Sequence, residues 1–158
     1  MEKVKRILLL FITVCLLTSI GCTNKNREQV LEPTGNQPIE LVKLKSDGVA
    51  DQNASNQAKE IVSRYEEIAG VRAVNYDNQL IVAIDVDHLE RFNLKKIEKE
   101  LREKINESFS DMIVTLSTDR KILIELEKIE KEIQAKSISK EELKKQIEHL
   151  KKLSKEQT

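Results

Sequence analysis

From Asn53 onward, Ala58, Ile61, Val62, Tyr65, Ile68 and Ala69 recur at spacings of three and four, which predicts an amphipathic helix ended by Gly70. The period then changes to two. Val71 to Tyr76 and Gln79 to Val86 read as strands joined by a tight Asp77-Asn78 turn, a β-hairpin. In the second strand Leu80, Val82, Ile84 and Val86 fall on one face and Ile81 and Ala83 on the other, so both faces require cover. Asn93 is placed to cap a second helix with the stripe Leu94, Ile97, Leu101, Ile105 and Phe109. Met112 to Ser117 alternates again and predicts a third strand.

The expected fold class is therefore α+β: an αββαβ unit over residues 54–118, with a three-stranded sheet and two helices on one face. Residues 119–158 form a charged helical extension, a helical hairpin or bent helix. Ile122, Leu126, Ile129 and Ile133 carry its first stripe, and Leu143, Ile147, Leu150 and Leu153 its second. Between the stripes, Lys136 to Ser139 breaks the pattern, and Ser139-Lys140-Glu141-Glu142 has the form of a capping box. These stripes are too short for a sustained coiled coil, so packing on the small domain or on a second chain is expected.

The start of the chain follows other rules. Lys3, Lys5 and Arg6 precede eleven residues, Ile7 to Leu17, that fit the apolar region of a secretory signal and fall short of the about 20 a spanning helix needs. Leu16-Leu17-Thr18-Ser19-Ile20-Gly21-Cys22 follows and resembles a lipobox, with Ser19 where Leu is most common. Residues 1–21 are read as a lipoprotein signal peptide and Cys22 as the lipidation site. There a diacylglyceryl group, with a further acyl chain such as palmitate in some organisms, replaces the leader as anchor. Two or more chains hold stably where one holds marginally. Residues 22–53, polar and carrying Pro33, Gly35 and Pro38, are expected to be the lipidated N-terminus and a flexible tether, within which Ile39 to Leu44 alternates enough for a short strand or a contact surface.

Composition narrows the function classes. Lys plus Arg and Asp plus Glu number 27 each, and removal of the leader leaves 24 basic and 26 acidic groups, a balance that gives no electrostatic case for a nucleic-acid partner. Both cysteines, Cys15 and Cys22, lie in the leader and at its end, so the folded part has no thiol for disulfides or metal. His88 and His149 are the only histidines. Asp85, Asp87 and His88 at a strand end are the one grouping with metal-ligand chemistry, outweighed by the ordinary role of Asp in turns. His149 stands among Lys and Glu as a solvated residue, and the mature chain has no nucleophile motif or phosphate loop. The expectation is a protein that is not an enzyme, with no cofactor, metal or small-molecule substrate. Lys144, Lys145, Lys151, Lys152 and Lys155 are candidate contacts for an anionic surface, against the alternative of a solubilising helix face. Arg91 and Phe92, before the second helix, are either a partner anchor or, for Phe92, core.

Lipobox, polar tether and αββαβ unit together resemble the sporulation lipoproteins of spore-forming bacilli labelled YhcN/YlaJ. The resemblance covers roughly Ala54 to Ile129 and is carried by Ala58 to Ile68 leading into Gly70-Val71-Arg72-Ala73-Val74, by Leu80 to Val86, and by Ile113 to Asp119. It implies a non-enzymatic lipoprotein on the outer face of the cell or spore membrane, an interaction or assembly module connected with germination or cortex. The alternative function is binding of anionic lipid or cell-wall polymer through the Lys-rich tail. In element order the unit also looks like ring-building motifs and BON domains, which are analogies of fold alone.

Overall fold

The structure, a computed structural model, describes residues 39, 41–45 and 48–156. Its elements run α1 (Asn53–Val62), β1 (Ile68–Tyr76), β2 (Gln79–Val86), a 3-10 turn (His88–Asn93), α2 (Leu94–Ser108), β3 (Ile113–Ser117), α3 (Arg120–Gln134) and α4 (Lys140–Glu156). The fold is α+β, built on a mixed three-stranded sheet in the order β1-β2-β3. β1 and β2 form the antiparallel hairpin, with Tyr76 opposite Gln79, and Asp77 takes φ 56 in the turn, a left-handed conformation that Asp tolerates. β3 pairs parallel to β2, which requires a crossover, and α2 supplies it.

Helix α1 is shorter than the periodicity predicts. It ends at Val62, and Ile68 and Ala69 belong to β1. Apolar residues three or four apart near a helix end are equally compatible with a turn that feeds a strand, and here pairing of Ile68 with Val86 wins over continued helix. Gly70 does not stop a helix. It follows a β-bulge, in which Ala69 is the extra residue between the pairs Ile68–Val86 and Gly70–Asp85.

Two cores lie on the two faces of the sheet. On the first, Leu80, Val82, Ile84 and Val86 of β2 meet Ala58 and Val62 of α1, Ile97, Leu101 and Ile105 of α2, and Phe109 just beyond it. On the second, Val74, Ile81 and Ala83 meet Ile122, Leu126, Ile129 and Ile133 of α3, and Leu143, Ile147 and Leu150 of α4. The helical extension thus folds back and covers the face that the αββαβ unit leaves bare. Each fully buried aliphatic side chain in that layer contributes about 1.5–3 kcal/mol. Ser139 Oγ accepts the Glu142 N–H at 3.1 Å, so the helix-start signal in the sequence operates, and Lys136 at φ 54 turns the chain between α3 and α4.

Candidate functional site

The sheet has two edges, and they are treated differently. Along the outer edge of β1, Glu130 Oε1 accepts the Ala73 N–H at 3.2 Å, Gln52 Oε1 accepts the Asn75 N–H at 3.1 Å, and Gln52 Nε2 donates to the Asn75 carbonyl at 2.7 Å. Over this edge runs the segment through residues 41–45. Leu41 packs into the first core and Leu44 into the second, while Leu44 exchanges hydrogen bonds with the Asn56 side chain at 2.9 and 2.7 Å. The described residues of the Ile39 to Leu44 stretch, 39 and 41–44, thus form a contact surface and no strand.

Behind this edge sits an ion pair that no sequence pattern indicates. Lys59 Nζ of α1 donates to Glu130 Oε1 of α3 at 2.9 Å, with the two side chains 1% and 2% exposed, and also to the Val42 carbonyl. Glu130 Oε2 has no hydrogen-bond partner among the described residues and faces Arg72 Nε at 3.5 Å. Burial holds Lys59 below the usual lysine range and pushes Glu130 above the usual carboxylate range, each effect partly offset by the attraction of the other charge. Lys59 and Glu130 lie 71 residues apart in sequence. Each stands beside an apolar stripe, where a long charged side chain ordinarily reaches solvent. The pair clips the helical layers together around β1 and is structural in character.

β3 presents the other edge. Ile113 N–H donates to the Asn78 carbonyl at 2.7 Å, which turns Ile113, Thr115 and Ser117 toward β2 and the backbone groups of Val114 and Leu116 outward. Arg102 Nη2 donates to the Leu116 carbonyl at 3.3 Å. The outward Val114 groups have no partner among the described residues, and Ile113 at this edge is an exposed large hydrophobic residue.

A third feature is the 3-10 turn His88–Asn93. Asp87 caps it by accepting the Leu89 N–H at 2.8 Å, and Asn93 Nδ2 donates to Glu90 Oε2 at 2.8 Å. Asn93 therefore fixes the turn and makes no side-chain capping bond to α2. Phe92 is 99% exposed and Leu89 84%, so Phe92 is not core.

The remaining candidates disperse. Asp85 lies 3.9 Å from Arg120 Nη1, Asp87 is the cap just described, and His88 is exposed. Among the described residues no group of three His, Cys, Asp or Glu side chains is placed to hold a metal ion. His149 is exposed on α4. Lys144, Lys145, Lys152 and Lys155 are exposed, whereas Lys151 is half-buried with Nζ 3.4 Å from Gln79 Oε1. Compared with known proteins, the chain matches no family model, no curated protein and no solved structure. Cys22 and the signal segment lie outside the described residues. Among the described residues no helix is long and apolar enough to cross a membrane.

Proposed function

We propose that the protein is a non-enzymatic sporulation lipoprotein, held on the outer face of the cell or spore membrane by a lipid on Cys22 and acting there as an interaction module through the edge of β3. The difference between the two edges carries this reading. Side chains and the 41–45 segment occupy the β1 edge, while outward backbone groups at Val114 stand ready to pair with a strand from another chain. Setting it in sporulation, germination or cortex rests on the YhcN/YlaJ resemblance.

The test joins two measurements. Intact mass and membrane fractionation of the wild type beside Cys22→Ala should find only the wild type acylated and membrane-bound. Light scattering on the chain from residue 23 should show self-association that Val114→Pro abolishes, since proline removes the outward N–H while an edge strand tolerates it. A strict monomer across a wide concentration range, with no partner lost on the same substitution, would refute the edge.

Lys144, Lys145, Lys152 and Lys155, exposed on α4, favour a second reading, binding of an anionic wall polymer or lipid. It requires binding that weakens as salt rises, and no binding at low ionic strength would end it.

A further inference from the structure

We infer that Leu89 and Phe92 form an apolar foot that enters the lipid interface, so that the domain stands on the membrane with its 3-10 turn downward. The inference rests on the lipid-anchor reading above.

The geometry of the turn carries the first step. With three residues per turn, positions three apart eclipse each other in a 3-10 helix, which sorts this turn into three faces. Leu89 and Phe92 share the apolar one, His88 and Arg91 a basic one, and Glu90 and Asn93 a third that their mutual hydrogen bond closes. The two large apolar side chains therefore project together, flanked by an arginine suited to phosphate, with Lys95 and Lys96 exposed at the start of α2.

The path of the chain carries the second step. β1 begins, and β2 and β3 end, at one end of the sheet, and the turn directly follows β2 there. The Asp87 N–H donates to the Glu67 carbonyl at 2.8 Å and ties the turn to the start of β1. α1 also finishes at this end, since it leads into β1. The 41–45 segment runs antiparallel to α1, with Leu44 on Asn56, Val42 on Lys59 and Lys43 on Glu60 at 2.9 Å. On this heading the chain before Val42 points toward the turn, and Ile39 packs against the first core. The segment that Val42 to Leu44 define is thus headed toward the end where Leu89 and Phe92 project, and the sixteen residues between Cys22 and Ile39 span at most about 58 Å.

Size argues for lipid over protein as the occupant. Two side chains offer a few hundred Å² at most, whereas a stable protein interface buries about 1,200–2,000 Å². An interfacial anchor works with that little when a covalent lipid already supplies most of the affinity. The α4 lysine Lys151 lies beside Gln79 at the opposite, hairpin end of the sheet and would face away from this membrane.

The chain has no tryptophan, so Phe92→Trp introduces a single fluorophore at an exposed position, and Gln134→Trp, exposed at the hairpin end of α3, serves as control. Both full-length proteins are produced in a lipoprotein-processing host, checked by mass for acylated Cys22, and reconstituted into phosphatidylcholine–phosphatidylglycerol vesicles with or without brominated acyl chains. Emission from Phe92→Trp should shift to the blue and be quenched by the brominated lipid, while Gln134→Trp keeps the emission of a water-exposed indole. An acylated, bound protein whose Phe92→Trp fluorophore stays in water overturns the foot alone. A blue shift without bromine quenching overturns it in favour of a second copy of the chain. Absence of acylation removes the anchor and the foot together.

Discussion

Removing the carboxylate of Glu130 should be the most damaging single change of charge in this domain. The ammonium of Lys59 would remain 1% exposed, with the Val42 carbonyl as its remaining close partner among the described residues and the Arg72 guanidinium nearby as a like charge. Breaking a buried pair in this way costs about 3–5 kcal/mol, because the surviving charge stays desolvated. The Ala73 N–H also loses its acceptor at a covered edge, which adds about 1–3 kcal/mol if water does not reach it. Against a total stability of about 5–15 kcal/mol, Glu130→Ala should be near the limit of folding. Lys59→Met alone should cost less, since the Glu130 carboxylate keeps Arg72 and the Ala73 N–H. The double variant Lys59→Met/Glu130→Leu leaves no buried charge and should fall only about 1–3 kcal/mol below wild type, the cost of the orphaned N–H. Urea unfolding followed by circular dichroism at neutral pH gives the four stabilities, and an unchanged m-value licenses their comparison. A double variant as unstable as the sum of the singles would refute a coupled pair, as would a loss below about 1 kcal/mol for Glu130→Ala.

Two smaller perturbations test neighbouring parts of the second layer. Ser139→Ala removes the acceptor of the Glu142 N–H at the start of α4 and should cost about 1 kcal/mol, seen as a lower urea midpoint with m unchanged. The hydrogen bond from Lys131 at 2.6 Å holds the Glu127 carboxylate below the usual carboxylate range. Its contribution is therefore present above the ordinary carboxylate pKa and is lost as pH falls through the lowered folded value. Glu127→Gln should be a few tenths of a kcal/mol less stable than wild type at neutral pH, with the gap closing in acid, and a gap independent of pH would assign the effect to packing instead.

What was legible in the sequence follows from how local the deciding interactions are. The period-two run Leu80 to Val86, apolar on both sides, demands cover on both faces, and the helices that supply it are visible as stripes, Ala58 to Phe109 for one face and Ile122 to Leu150 for the other. Periodicity states that a face must be buried but not against which neighbour. The return of α3 and α4 onto the sheet was therefore one option among two, beside association with another chain. The Asp77-Asn78 turn and the Ser139 cap involve residues within a few positions of each other and were read directly. Periodicity does not fix the end of α1, because the choice between helix and strand at Ile68 is made by Val86, a partner remote in sequence. Lys59 and Glu130 were invisible for the same reason. Phe92 was ambiguous, since its hydrophobicity alone argues for burial, and the 3-10 turn that holds it outward is set by Asp87, Glu90 and Asn93.

The second layer has a consequence for the order of events while the chain is being made. Val74, Ile81 and Ala83 acquire their cover from residues 122–150, and Leu44 joins that same core from the other side of the chain. During N-to-C synthesis, the hairpin and β3 emerge before their second roof exists, and one apolar side of the sheet faces water until α3 and α4 follow. Contacts so distant in sequence close slowly, which lengthens the exposed interval. The nascent protein is therefore at its stickiest just after Ser117 emerges, the stage at which a chaperone would have most to protect.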